Sequence, residues 1–173
     1  MRVKSYMSRK IELPLVQGYR ITGKTINVAY NFLVKIVSDS GVTGYGCAAP
    51  SGDVTGETDD MCEAALDGPL VDLLARRSIP ANPSGLADEA FELVPECPAA
   101  RAAVDMALWD VVSRSVEQPL VRYWGGTPLP IATSVTIGIC DVKQTLKEAG
   151  DWLDLGFRVL KIKIGEDLKV DLK

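Results

Sequence analysis

The stretch Gly156-Phe157-Arg158-Val159-Leu160-Lys161-Ile162-Lys163-Ile164-Gly165 narrows what this chain can fold into more than any other. As a β-strand it sends Leu160, Ile162 and Ile164 to one face and Val159, Lys161 and Lys163 to the other. A strand this apolar is expected to be buried on both sides, and an ammonium out of water must be paired, neutralised or used. Upstream, residues 131–139 alternate in the same way, with Val135, Ile137 and Ile139 on one face and Ser134, Thr136 and Gly138 on the other. Between the two strands, Asp141 can cap a helix whose apolar stripe is Val142, Leu146, Ala149 and Leu153. Gly156 then sits where a left-handed C-terminal cap belongs. Strand, helix, strand with short joints is a right-handed βαβ unit with parallel strands.

Two parallel strands cannot cover both of their faces, and only eight residues, 166–173, follow Gly165. The unit therefore reads as the opening of a (β/α) barrel, which by itself needs about 250 residues. In a barrel the small and polar faces point inward. Thr136, Lys161 and Lys163 would line the interior near the C-terminal strand ends, where barrel active sites lie. A lysine desolvated there, beside a second ammonium, can serve as a base near neutral pH. Its natural task is to remove a weakly acidic proton next to a carboxylate, giving an enediolate that needs cations, usually Mg²⁺. The alternative is a K-x-K at an exposed strand end, with no chemistry attached.

The N-terminal part has a different pattern. Residues 2–13 read as a strand ending at Pro14, followed by a polar loop at 16–25. Ile26, Val28, Tyr30, Phe32, Val34 and Ile36 then keep period two, Ser38-Asp39-Ser40-Gly41 has the composition of a hairpin turn, and residues 42–48 return as a third strand. This is an antiparallel meander. After a second loop at 50–58, helices are expected at about 59–67, on to Arg77, at 84–94 with Asn82 or Ser84 as cap, and at 99–117. The last is the strongest, with the stripe Ala100, Val104, Ala107, Leu108 and Val111, Pro98 at its first position and Pro119 beyond its end. Trp124-Gly125-Gly126-Thr127-Pro128 reads as a linker. The fold class is thus an α+β domain at 1–125 leading into an incomplete α/β (TIM-like) barrel at 126–173.

The totals exclude several classes of function. A net charge of −4 and a pI of about 4.9 argue against nucleic acid or anionic membrane as the main partner. No apolar run reaches the roughly 18 residues of a membrane span, and the first residues lack the apolar core of a signal peptide. The four cysteines (Cys47, Cys62, Cys97, Cys140) are scattered, which fits a reduced, cytoplasmic setting. There is no histidine, so neither Ser-His nor Cys-His nucleophiles nor histidine metal ligation can be built within the chain. Asp105 and Asp110 lie five apart, about 500° around a helix, and share no face. They read as structural. So do Asp53, Glu57, Asp59 and Asp60, of which Glu57 to Asp60 would cap and charge a helix start rather than hold a cation. Trp109 and Trp124 read as core and domain-interface residues.

In this order, several motifs resemble the enolase superfamily, in the muconate-lactonizing subgroup that includes the dipeptide epimerases. They are Gly44-Tyr45-Gly46, Val54-Thr55-Gly56-Glu57-Thr58, residues 102–110 (Ala-Ala-Val-Asp-Met-Ala-Leu-Trp-Asp), Pro119-Leu120, Gly125-Gly126, Ser134-Val135-Thr136 and Leu160-Lys161-Ile162-Lys163-Ile164-Gly165. The resemblance implies a capping domain joined to a (β/α)₇β barrel, and an L-Ala-D/L-Glu epimerase-like isomerase that moves an α-proton. N-acylamino acid racemase, o-succinylbenzoate synthase and muconate cycloisomerase remain as alternatives, as does a non-catalytic truncated product. It implies Lys163 as the acid/base, and Lys161 as its electrostatic neighbour and a contact to the substrate carboxylate. Thr136 becomes a substrate contact. The 16–25 loop becomes a lid in which Lys24 stands where relatives often carry an arginine for a substrate carboxylate. A lysine there keeps the charge and loses the bidentate fork. Cys47 replaces a usual glutamate. The implied partners are a dipeptide or N-acyl amino acid and Mg²⁺, with homo-oligomerisation left open. The Mg²⁺ ligands and the opposing lysine belong to later barrel strands, so no metal ligand is assigned here.

Overall fold

The computed structural model describes residues 1–21 and 24–172; the side chains of residues 16, 17, 19–21, 24 and 170 also lie outside the described set. The chain divides into two compact units. One comprises Met1–Glu12 and Tyr30–Pro128, the other Leu13–Ala29 and Leu129–Lys173.

Strands β1 (Val3–Ile21), β2 (Lys24–Ser38) and β3 (Thr43–Ala48) form a sheet in that order. β2 and β3 are antiparallel, with Phe32 opposite Ala48, Val34 opposite Gly46 and Ile36 opposite Gly44. The turn between them closes through Ser38, whose N–H donates to the Val42 carbonyl (2.8 Å) and whose carbonyl accepts from Gly41 N–H (2.9 Å). The first strand departs from the sequence reading. It does not end at Pro14; of the segment 16–25 read as a loop, residues 16–21 belong to β1 and 24–25 to β2, while residues 22 and 23 lie outside the described residues. β1 is an edge strand, paired on one side only, so a proline's missing donor is tolerated there. Polar residues in this part of the hairpin do not mark a loop, because inter-strand hydrogen bonds need no apolar face.

Helices α1 (Gly52–Thr55), α2 (Asp59–Asp67), α3 (Pro69–Arg76), α4 (Ser84–Leu93), α5 (Pro98–Ser115) and α6 (Leu120–Tyr123) follow. The one-turn α1 falls inside the stretch read as loop, being too short to show periodicity. α6 falls in the segment after Pro119, which is its N-cap; α5 itself stops at Ser115, before Pro119 and short of the expected 117. The core of this unit packs Phe32, Val34 and Ile36 of the sheet against Leu66, Leu70, Leu74, Ala100, Ala103, Val104, Ala107, Leu108 and Val111. α5 lies so close to β3 that the Gly44-Tyr45-Gly46 motif acquires a physical reason. A Cβ on Gly46 would fall well under 3.0 Å from the Ala103 carbonyl oxygen, and one on Gly44 would meet the Val111 backbone nitrogen at 2.6 Å. Between the two glycines, Tyr45 N–H donates to Asp110 Oδ2 (3.0 Å), so a donor on the β3 edge is met from α5. Asp110 also pairs with Arg114 at 2.7 Å, the structural role read for it. Asp105 is half-buried; burial raises its carboxyl from the usual range, and a hydrogen bond with Trp109 opposes that shift.

Glu57 corrects the reading of the acidic loop. The cap of α2 is Thr58, whose side chain accepts from Met61 N–H at 3.3 Å. Glu57 is fully buried and serves α5 instead, accepting from Ala99 N–H (2.6 Å) and Ala100 N–H (3.1 Å). Residue Cys97 at the α5 N-cap makes no side-chain cap of its own, and Pro98 has no N–H. Cys97 N–H donates to Val94 O, so Glu57 completes the first turn of the helix and meets its positive end. Burial first, and the Glu57 carboxylate second, push the Cys62 and Cys97 thiols up. Glu57→Ala should destabilise the chain by about 2–4 kcal/mol, and Glu57→Gln, which keeps one acceptor, by about half of that. Urea unfolding at neutral pH measures both; equal, sub-kilocalorie losses would rule out this capping role. Neither tryptophan is a core residue. Trp109 is half-buried and Trp124 exposed, and they meet edge to face at 5.1 Å.

In the second unit, β4 (Ser134–Ile137), α7 (Val142–Asp154), β5 (Val159–Ile162) and α8 (Leu168–Asp171) realise the βαβ pattern, with β4 and β5 parallel. Asp141 caps α7 as expected, its carboxylate accepting from Gln144 N–H at 2.8 Å. No helix among the described residues is long and apolar enough to cross a membrane.

Candidate functional site

Parallel pairing sets Thr136 beside Lys161 and Ile137 beside Ile162. Lys161 and Lys163 are two residues apart and so share a face with Thr136. Lys163 stands one residue beyond β5, yet its N–H still donates to the Ile137 carbonyl at 3.0 Å, so the ladder carries it at the C-terminal end of both strands. The structure thus brings three of the four candidate residues together. Lys24 opens β2, and its side chain lies outside the described residues.

The expectation that this strand is buried on both sides is not met in this chain. Ile137 is fully buried, but Ile162 and Ile164 are 51% and 64% exposed; Lys161 is exposed and Lys163 half-buried. A sheet of two strands with one 13-residue helix cannot enclose both faces. The lysines are therefore brought together here without being removed from water.

Lys163 lines a cavity of about 330 Å³ with Cys140, Thr145, Leu146, Ile162 and Asp171. The Cys140 thiol and Thr145 hydroxyl are 3.2 Å apart. Asp171 Oδ2 accepts from Gly165 N–H at 2.9 Å, a contact that the sequence reading did not name. Its signal is faint: an aspartate six residues after a glycine, in a segment too short for a periodic pattern. Among the described residues, no group of three or more acidic or cysteine side chains is placed to hold a metal. The described residues of this chain do not by themselves fit a Mg²⁺ site.

Residues 8–125 match the N-terminal domain of the mandelate racemase / muconate lactonizing enzyme family. The whole chain is 42% identical to the L-Lys-D/L-Arg epimerase of Methylococcus capsulatus, covering 48% of it, and 30% identical to the L-Ala-D/L-Glu epimerase of Clostridium acetobutylicum, again covering 48%. The crystal structure of the Methylococcus capsulatus dipeptide epimerase complexed with Mg and the dipeptide L-Arg-D-Lys superposes with a TM-score of 0.93, covering 99% of this chain and 48% of that one. The substrate-liganded L-Ala-D/L-Glu epimerase of Bacillus subtilis, at 29% identity, gives 0.93 over the same shares. The chain spans about half the length of the curated relatives it matches. With the meander, the α5 contact and the lysine strand in the expected order, the chain belongs to the mandelate racemase / muconate lactonizing enzyme family.

Proposed function

We propose that this chain is the N-terminal half of a Mg²⁺-dependent dipeptide epimerase, with a capping domain at 1–125 and the first part of its barrel at 126–173. The observation that carries this reading is the placement of Thr136, Lys161 and Lys163 on one face, at the C-terminal end of two parallel strands. In the proposed reaction Lys163 accepts and returns the α-proton next to the substrate carboxylate. Lys161 holds positive charge near that carboxylate, and the Thr136 hydroxyl binds a polar group beside it. Magnesium would supply Lewis-acid charge from ligands assigned to barrel strands beyond this chain. A second base for the opposite face of the α-carbon is assigned to barrel strands beyond this chain. A cytoplasmic location belongs to the same reading.

For the substrate we favour dipeptides with a basic second residue. Relatives at 42% and 38% identity are named L-Lys-D/L-Arg epimerases, while an L-Ala-D/L-Glu epimerase follows at 30%. The test is α-proton exchange in D₂O, with Mg²⁺, by the full-length protein that carries this chain. L-Ala-L-Glu and L-Lys-L-Arg would be compared. Deuterium should enter the second residue of L-Lys-L-Arg at the higher kcat/KM. A preference for L-Ala-L-Glu would overturn the substrate reading, and exchange with no dipeptide would overturn the function.

A further inference from the structure

We propose that Asp171 is the positioning residue for Lys163, an inference that rests on the reading of Lys163 as the proton carrier. β5 ends at Ile162, and Lys163 is the last residue tethered to β4, through Ile137 O. Two residues on, Gly165 has φ +117°, a conformation open to glycine and strained for other residues, so the chain can pivot there. The Asp171 carboxylate closes that pivot by accepting from Gly165 N–H at 2.9 Å. Asp171 is itself held, because its own N–H donates to Asp167 O at 2.9 Å and Asp167 Oδ1 accepts from Lys169 N–H at 2.8 Å. The segment 165–171 is thus a ring closed on itself by side chains. Lys163 sits between two tethers, with Ile164 the only residue between it and Gly165. Asp171 and Lys163 also line the same cavity.

The experiment compares Asp171→Ala with Asp171→Asn, which keeps an acceptor. In the chain, amide hydrogen exchange at Gly165 should accelerate about tenfold in Asp171→Ala and return to within about twofold in Asp171→Asn, while the Lys163 amide stays protected. In the full-length protein, Asp171→Ala should lower kcat for α-proton exchange about tenfold with KM within twofold, and Asp171→Asn should recover most of it. An unchanged Gly165 amide in Asp171→Ala overturns the tether whatever the activity. A freed amide with full kcat overturns the positioning role. A freed amide beside a wild-type protein that exchanges no α-proton overturns the proposed function, and the role of Asp171 falls with it.

Discussion

Gly46→Ala should strongly destabilise the first unit. The added methyl group would be driven into the Ala103 carbonyl oxygen, and neither partner can yield by changing a rotamer, because both sides of the contact are backbone. Overpacking of side chains costs about 1–3 kcal/mol. A clash with the backbone of α5, between a strand and a helix that carry the core, belongs at or above the top of that range, at about 3 kcal/mol or more. Against a total stability of about 5–15 kcal/mol, that is a large fraction, enough to lower the melting temperature by about 10 °C or more. Gly85→Ala is the control. Gly85 lies in α4 with nothing within 4 Å of its ideal Cβ, so alanine there should be neutral or stabilising by about 0.5–1 kcal/mol. Thermal and urea unfolding followed by near-ultraviolet circular dichroism compare the two. If Gly46→Ala melts within about 1 kcal/mol of the parent, β3 does not lie on α5 as described.

The second large effect concerns chemistry rather than folding. In the full-length protein, Lys163→Met should reduce α-proton exchange by about 10²–10⁴-fold, the range for losing a positioned general acid/base. Lys161→Met should raise KM more than it lowers kcat, since a charge that holds substrate contributes to ground-state binding. In the chain itself neither change should alter unfolding by more than about 0.5 kcal/mol, because there Lys161 is exposed and Lys163 half-buried. Deuterium incorporation, read by mass spectrometry with the unfolding midpoint measured in parallel, separates the two effects. A Lys163→Met protein that keeps wild-type exchange would remove Lys163 from the reaction.

Where local pattern carries the information, reading and structure agree closely. The α2 helix at Asp59–Asp67 matches the helix read at 59–67, and α7 follows from Asp141 and a 3.6-residue stripe. The parallel pairing of β4 and β5 follows from a strand–helix–strand order that permits little else. The same local reasoning misplaced Glu57. Its partners are 42 and 43 residues away, and no pattern around it says that α5 lacks a cap. It also stopped β1 at Pro14, because a proline ends a central strand and only the finished sheet shows that β1 is an edge.

By itself the sequence determined most of the element types, the change from meander to βαβ unit, and the face on which Lys161 and Lys163 lie. Period and punctuation are properties of neighbouring residues, and they survive without a partner. Only the tertiary structure decided that Thr136 stands beside Lys161, that Asp171 ties down Gly165, that Glu57 belongs to α5, and that the lysine strand of this chain is open to water. Each of these depends on register, distance or enclosure, and all but the Asp171 contact join segments far apart in the chain. Chain closure sets those quantities, and no local pattern records them.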